Sequence, residues 1–136
     1  MLVIDANFAI ETILGNDIKQ MLLEEMRKGE EVVVPHLYYA EVANALWQYV
    51  QAGILTDDEA LEKVREATSL PSRVVPESEL ILEVLSEAIN RNHPVYDLFY
   101  FVLARRNGAI LCTLDKKLQT MCLKDGVTLV CPIEWE

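Results

Sequence analysis

Glycine and proline are scarce in this chain of 136 residues, five of each, which excludes a collagen-like or low-complexity protein. Basic residues are scarce too. Twelve Lys and Arg stand against 22 Asp and Glu, a net charge of −10. That balance weighs against a plain nucleic-acid binder, because phosphate contacts are made by Lys and Arg. RNA or DNA is approachable only where a metal ion or a local basic patch offsets the repulsion, and a basic protein partner fits the balance more easily. The three cysteines (Cys112, Cys122, Cys131) cannot all pair, and with the two histidines they show no zinc-ligand spacing. Reduced, buried thiols are expected. No apolar run approaches the roughly 18 residues that span a bilayer, and the opening residues carry no basic leader. The expectation is therefore a cytoplasmic protein with no membrane segment. Phosphate-loop, dinucleotide-loop and serine-elbow motifs are missing as well.

What is present is apolar and periodic. Half the residues (51%) are hydrophobic, enough for the core of one domain spanning residues 1–136. Strands are expected at Leu2–Ile4, Val32–Val34, Arg73–Val75, Ala109–Leu114 and Val127–Cys131. Between them lie helical patterns. Asn7 stands as an N-cap ahead of Phe8 to Leu14. Asp17 to Lys28 is amphipathic and stops at Gly29, and Leu37 to Ala52 stops at Gly53. Thr56 and Glu59 form a capping box for the helix that runs to about Thr68. Glu77 to Asn92 directs Leu80, Val84, Leu85, Ala88 and Ile89 inward, with Glu79, Glu83 and Glu87 as a solvated face. Tyr96 to Arg106 stops at Asn107-Gly108, and a short helix reaches Lys124. Strands alternating with helices make a mostly parallel sheet covered on both faces, a three-layer α/β/α fold.

Four carboxylates stand out against this background. A quarter of the residues are charged, yet Asp5 is the only charged side chain among the first ten. Glu41 is alone between Val32 and Thr56, and Asp97 is alone between Asn92 and Ala104. Asp115 ends an uncharged run that begins at Asn107. Taken singly, each suits a cap or a turn. A buried carboxylate without a partner, however, costs several kcal/mol unless it is protonated, paired or bound to a cation. Four of them suggest one shared solution, a divalent cation. Asp5 and Asp115 both end strands, where open α/β sheets place their ligands, and Asp97 falls in the first turn of a helix. Glu41, Asn44 and Gln48 form a polar stripe at i, i+3 and i+7, read either as an exposed face or as a wall of the shared site.

The segments Val3-Ile4-Asp5-Ala6-Asn7, Glu41-Val42-Ala43-Asn44-Ala45-Leu46, Tyr96-Asp97-Leu98 and Thr113-Leu114-Asp115 resemble, in order, the four signature segments of PIN domains. The compact length resembles the VapC-type toxins of toxin–antitoxin modules. The resemblance implies a five-stranded parallel sheet of order 3-2-1-4-5 and a Mg²⁺- or Mn²⁺-dependent endoribonuclease. It also implies a homodimer and a small antitoxin partner. Asp5, Glu41, Asp97 and Asp115 match the acidic quartet, and Asn7 and Thr113 match small polar positions near the metal. On this reading Asp5, Asp97 and Asp115 bind the ion and Glu41 orients the attacking water. Lys116 and Lys117 stand where some members carry a further acid, which puts a second metal site in doubt. They read as substrate-backbone contacts or as a solvated helix start. The charge balance suits a Lys or Arg of the partner inserted beside the metal.

Two other readings share the cluster. A metal-dependent phosphatase or phosphotransferase would use Asp5 as nucleophile, although a second acid is expected near it and position 7 is Asn. A non-catalytic acidic module would accept a basic peptide. His36 and His93 neighbour prolines at segment boundaries and read as structural. Tyr96, Phe99, Tyr100 and Phe101 around Asp97 suit core or dimer packing better than base stacking.

Overall fold

The computed structural model of the chain describes residues 1–15 and 17–130. Its centre is a parallel sheet made of β1 (Leu2–Ile4), β2 (Val32–Pro35), β3 (Arg73–Val75) and β4 (Ile110–Cys112), in the order β3-β2-β1-β4. β-Branched residues dominate the two inner strands, which are buried on both faces, as parallel strands under helical cover must be. Leu2 and Val3 pair with Val32 and Val33 on one side, and Leu2 to Ile4 pair with Ile110 to Cys112 on the other. The expected fifth strand is reduced to a parallel bridge between Leu111 and Leu129, framed by bonds from Leu111 N–H to the Thr128 carbonyl and from Val130 N–H to the Leu111 carbonyl. The described sheet thus has four strands rather than five. Cys131, at the end of the expected strand, lies outside the described residues.

Seven α-helices flank these strands among the described residues: α1 (Ala6–Ile13), α2 (Asp17–Arg27), α3 (Tyr38–Gln51), α4 (Asp57–Ser69), α5 (Ile81–Arg91), α6 (Val95–Asn107) and α7 (Lys116–Asp125). The chain steps from β1 to β2 to β3, then returns past β1 to β4. Right-handed crossovers put the helices of the outward and return legs on opposite faces. The direction reverses between β1 and β4, and a crevice opens at the carboxyl ends of the strands flanking such a switch. α6 lies directly on the sheet, touching β1, β2 and β4, with α5 and α7 packed against it. Leu98 to Ala104 are all buried, which is why this helix is apolar on every side. α3 packs between α1 and α4, and the buried Tyr38 hydroxyl ties it to α4 by donating to the Ala67 carbonyl at 2.7 Å.

Several expectations need correction. The N-cap of α1 is Asp5, not Asn7, which falls inside the first turn. β4 stops at Cys112, so Thr113 and Leu114 separate the strand from Asp115. The segment expected as one helix from Glu77 is a 3₁₀ turn at Glu77–Glu79 followed by α5, which ends on Asn92 in the left-handed region. Leu80, Val84 and Ala88 point inward as expected, but Leu85 and Ile89 are exposed. Glu83 and Glu87 are not a solvated face. Both are half-buried and pair with Arg105, while Glu87 also takes Arg91 and Glu83 takes Arg106. α5 therefore turns its charges toward α6, while Leu82, Leu85 and Ile89 face outward. Those cations lie more than a dozen residues downstream or at the helix end, beyond the reach of a periodicity argument.

Tyr38→Phe should lower stability by about 1–3 kcal/mol, because the buried Ala67 carbonyl loses its donor. Urea unfolding should show an earlier midpoint at an unchanged slope.

Candidate active site

Each strand delivers a polar residue just beyond its carboxyl end: Asp5 after β1, His36 after β2, Glu77 after β3, and Thr113 and Asp115 after β4. Asp5 and Thr113 flank the switch point and are both buried. One Asp5 oxygen, Oδ1, caps α1 by accepting from Phe8 N–H at 2.8 Å, and the other accepts the Thr113 hydroxyl. Thr113 is itself fixed from two sides. Its hydroxyl oxygen accepts from Asp115 N–H at 3.0 Å, and its carbonyl accepts from the buried Gln119 amide at 2.9 Å. Asp115 caps α7, accepting from Leu118 N–H at 2.8 Å. Two helix N-termini therefore point their partial positive charge at the same crevice, each through an aspartate.

A polar cavity of about 240 Å³ opens in front of Asp5. Its walls include Asn7, Glu41, Asn44, Gln48, Asp97 and Tyr100. The stripe on α3 is thus a wall of this cavity, and three members of the acidic quartet meet in it. The fourth, Asp115, stands beside the cavity rather than in its wall, near enough for its charge to act on Asp97. Two further residues join the site, Tyr100, expected in core or dimer packing, and Glu77, expected only as a helix start. Tyr100, one turn after Asp97 on α6, donates its hydroxyl to Glu41 Oε1 at 2.5 Å. The i, i+3 spacing from Asp97 was the available signal. Glu77 adds a further negative charge next to Glu41, and its place just after β3 was the clue.

The acids raise one another's pKa. Burial lifts Asp5 from 3.8 to about 7, with Asp97 and Glu41 adding to the rise and the bonds from Thr113 and Phe8 opposing it. Glu41 is raised by burial and by Asp97 and Glu77, against the Tyr100 bond. Asp97 is raised by burial and by Asp115, while His93 and Lys117 pull it down. Among the described residues, no group of three His, Cys, Asp or Glu side chains is already disposed to hold a metal ion. The donor chemistry nevertheless suits one. Carboxylates and amide oxygens crowd a half-buried hollow and repel each other, as ligands of a hard divalent cation do before it binds. Lys116 and Lys117 open α7 on the Asp115 side and lie outside the cavity wall.

Among the described residues, Cys112 and Cys122 take no part. Cys112 and Cys122 are buried and unpaired, and burial pushes both thiols up, Cys122 to about 12. Among the described residues no helix is long and apolar enough to cross a membrane.

A model of the PIN domain matches residues 2–123. Ribonuclease VapC3 of Pyrobaculum aerophilum is 28% identical over 119 residues, 86% of this chain and 91% of that protein. Ribonuclease VapC12 of Mycobacterium tuberculosis is 31% identical over 118 residues, 87% of this chain and 89% of that protein. The crystal structure of PAE2754 from Pyrobaculum aerophilum matches with a TM-score of 0.72 at 26% identity, covering 95% of this chain and 83% of that one.

The raised pKa of Asp5 has a consequence for stability. Between about pH 4 and 7 the folded chain holds a proton that the unfolded chain has lost, so stability falls as pH rises through that window and levels off above it. Asp5→Asn still caps α1 but does not ionise. In EDTA it should melt higher than the wild type above about pH 7 and show a flatter pH profile. Parallel profiles for the two proteins would remove Asp5 as the source of the slope.

Proposed function

This chain belongs to the PIN domain family, and on that premise we propose that it is a metal-dependent endoribonuclease, the toxin of a toxin–antitoxin pair acting in the cytoplasm. The observation that carries the reading is the meeting of Asp5, Glu41 and Asp97 in one polar cavity at the sheet's switch point. Asp5, Asp97 and Asp115 would hold a Mg²⁺ or Mn²⁺ ion, with Asn7 and Thr113 supporting them. When bound, such an ion neutralises charge on the phosphodiester and makes water a stronger nucleophile.

The chain's own groups do the rest. Glu41 is poised to orient the attacking water and take its proton, because burial raises its basicity. The Tyr100 hydroxyl holds one Glu41 oxygen and so fixes this side chain in the cavity wall. Asn44 and Gln48 line the adjoining wall and offer amide donors to phosphate or ribose oxygens. Thr113 keeps Asp5 facing the crevice by binding the oxygen that does not cap α1. A phosphoryl-aspartate mechanism suits Asp5 poorly. Both its oxygens already accept hydrogen bonds, from Phe8 N–H and the Thr113 hydroxyl.

The proposal includes two protein partners. A small antitoxin would present a Lys or Arg to the acidic cavity, where a cation relieves the repulsion among three carboxylates. A second copy of this chain would pack on α5. Support for that pairing comes from charge. Every exposed side chain of α5 is neutral, and Leu82 and Ile89 are 84% and 71% exposed. Two copies of a chain at −10 meet most easily where neither presents a charge, because a twofold contact sets identical residues against each other.

Asp5→Asn and Asp97→Asn should each abolish RNA cleavage in Mg²⁺ or Mn²⁺, and Glu41→Gln should slow it by about 10² to 10⁴-fold. Calorimetric titration with Mn²⁺ should lose its binding heat in Asp5→Asn. Undiminished cleavage in excess EDTA, or full activity in either aspartate variant, would sink the assignment. Leu82→Glu combined with Ile89→Glu should convert the dimer to monomer by light scattering. An unchanged mass would move the interface elsewhere.

A further inference from the structure

The acidic cavity leaves one difficulty for a ribonuclease: a chain at −10 repels its polyanionic substrate. Among the described residues, six of the twelve Lys and Arg are held in ion pairs. Of the other six, three stand on α7: Lys116, Lys117 and Lys124. Two of these three line a second hollow, of about 320 Å³, between the end of α5 and the outer face of α7. Its walls are Arg91, His93, Lys117, Thr120, Met121 and Lys124.

We propose that this hollow is a phosphate-binding track for single-stranded RNA, leading from the acidic cavity along α7. The inference rests on the ribonuclease reading and adds where the substrate runs once it leaves the reacting bond. The hollow lies beside the cavity. His93 lies four residues before Asp97 and Lys117 two after Asp115, and the charges of both reach Asp97. Lys117 and Lys124 are i and i+7 on the helix, one face apart by about 10 Å, so they address different phosphates of one strand.

The other lining groups act as walls. The Arg91 guanidinium is fixed by Glu87 at 2.6 Å and Asp125 at 2.8 Å and lies over the Phe101 ring, which leaves little net charge to offer. The Thr120 hydroxyl donates back to the Lys116 carbonyl at 2.9 Å. His93 is braced by its Nδ1 on the Pro94 carbonyl at 2.7 Å. The two exposed lysines therefore carry the binding. Ammonium groups on flexible stems take any phosphate without reading a base, so the track contributes affinity and direction, not sequence choice.

The test compares Lys117→Gln/Lys124→Gln with Lys19→Gln/Arg65→Gln, a control that removes two unpaired, exposed cations elsewhere. Binding of a labelled single-stranded RNA of mixed sequence is followed by fluorescence anisotropy in EDTA over a range of salt. Each lost phosphate contact lowers the slope of log K against log salt by about 0.7 on a single strand. The α7 variant should therefore bind with a slope shallower by about 1.4 and a several-fold weaker Kd at low salt. The control should keep the wild-type slope, and Lys124→Glu should weaken binding further than Lys124→Gln. Equal slopes in the two double variants would overturn the track while leaving the ribonuclease reading intact. Failure of the wild type to bind or cleave any RNA would overturn both. Loss of binding to an oligoglutamate peptide, with RNA binding unchanged, would make the hollow a protein-docking surface and end the proposal.

Discussion

The carboxyl group of Asp5 is buried at the one place in the sheet where the chain changes direction, and the surrounding structure answers the cost of putting it there. Two hydrogen bonds and a helix N-terminus reduce that cost. Neighbouring acids add to it, so the balance still falls on the side of the protonated form at mildly acid pH. The crevice is therefore a region of unsatisfied negative charge held open by a rigid frame. Strands β1 and β4 set the spacing, Thr113 fixes the orientation, and α3 and α6 bring the remaining carboxylates to the same hollow. A cation, whether a metal ion or a partner's side chain, is what such an arrangement lacks.

Much of this was legible in the sequence, for a definite reason. A lone acid in an apolar segment is conspicuous, and Asp5, Glu41 and Asp97 could be singled out by that test alone. The helix pattern of Glu41, Asn44 and Gln48 identified the right wall of the cavity. What stayed hidden depended on contacts between distant segments. Asn7 looked like the cap because it precedes an apolar run, yet Asp5 takes that role through the first turn. Leu85 and Ile89 looked inward-facing because apolar spacing cannot say which of two stripes meets the core. The pairing of Glu83 and Glu87 with arginines of α6 was invisible for the same reason.

The distribution of charge separates the molecule into regions with different tasks. The arginines at the end of α6 are consumed by acids of α5, a pairing that strips α5's outer surface of charge. The lysines of α7 are left over, beside the acids rather than among them. No window of sequence contains both the end of α5 and the face of α7, so the basic hollow exists only in the fold.

The hydrogen bond between Asp5 and Thr113 spans 108 residues of chain. β1 leaves the ribosome 108 residues ahead of β4, the strand that pairs beside it. Until β4 has emerged, Asp5 has no Thr113 and the switch point has one side. Chain growth at about 5–20 residues per second imposes a delay of several seconds between the two. A nascent chain of this design thus assembles its site only once β4 has emerged, and a partner present then meets the site as it first closes.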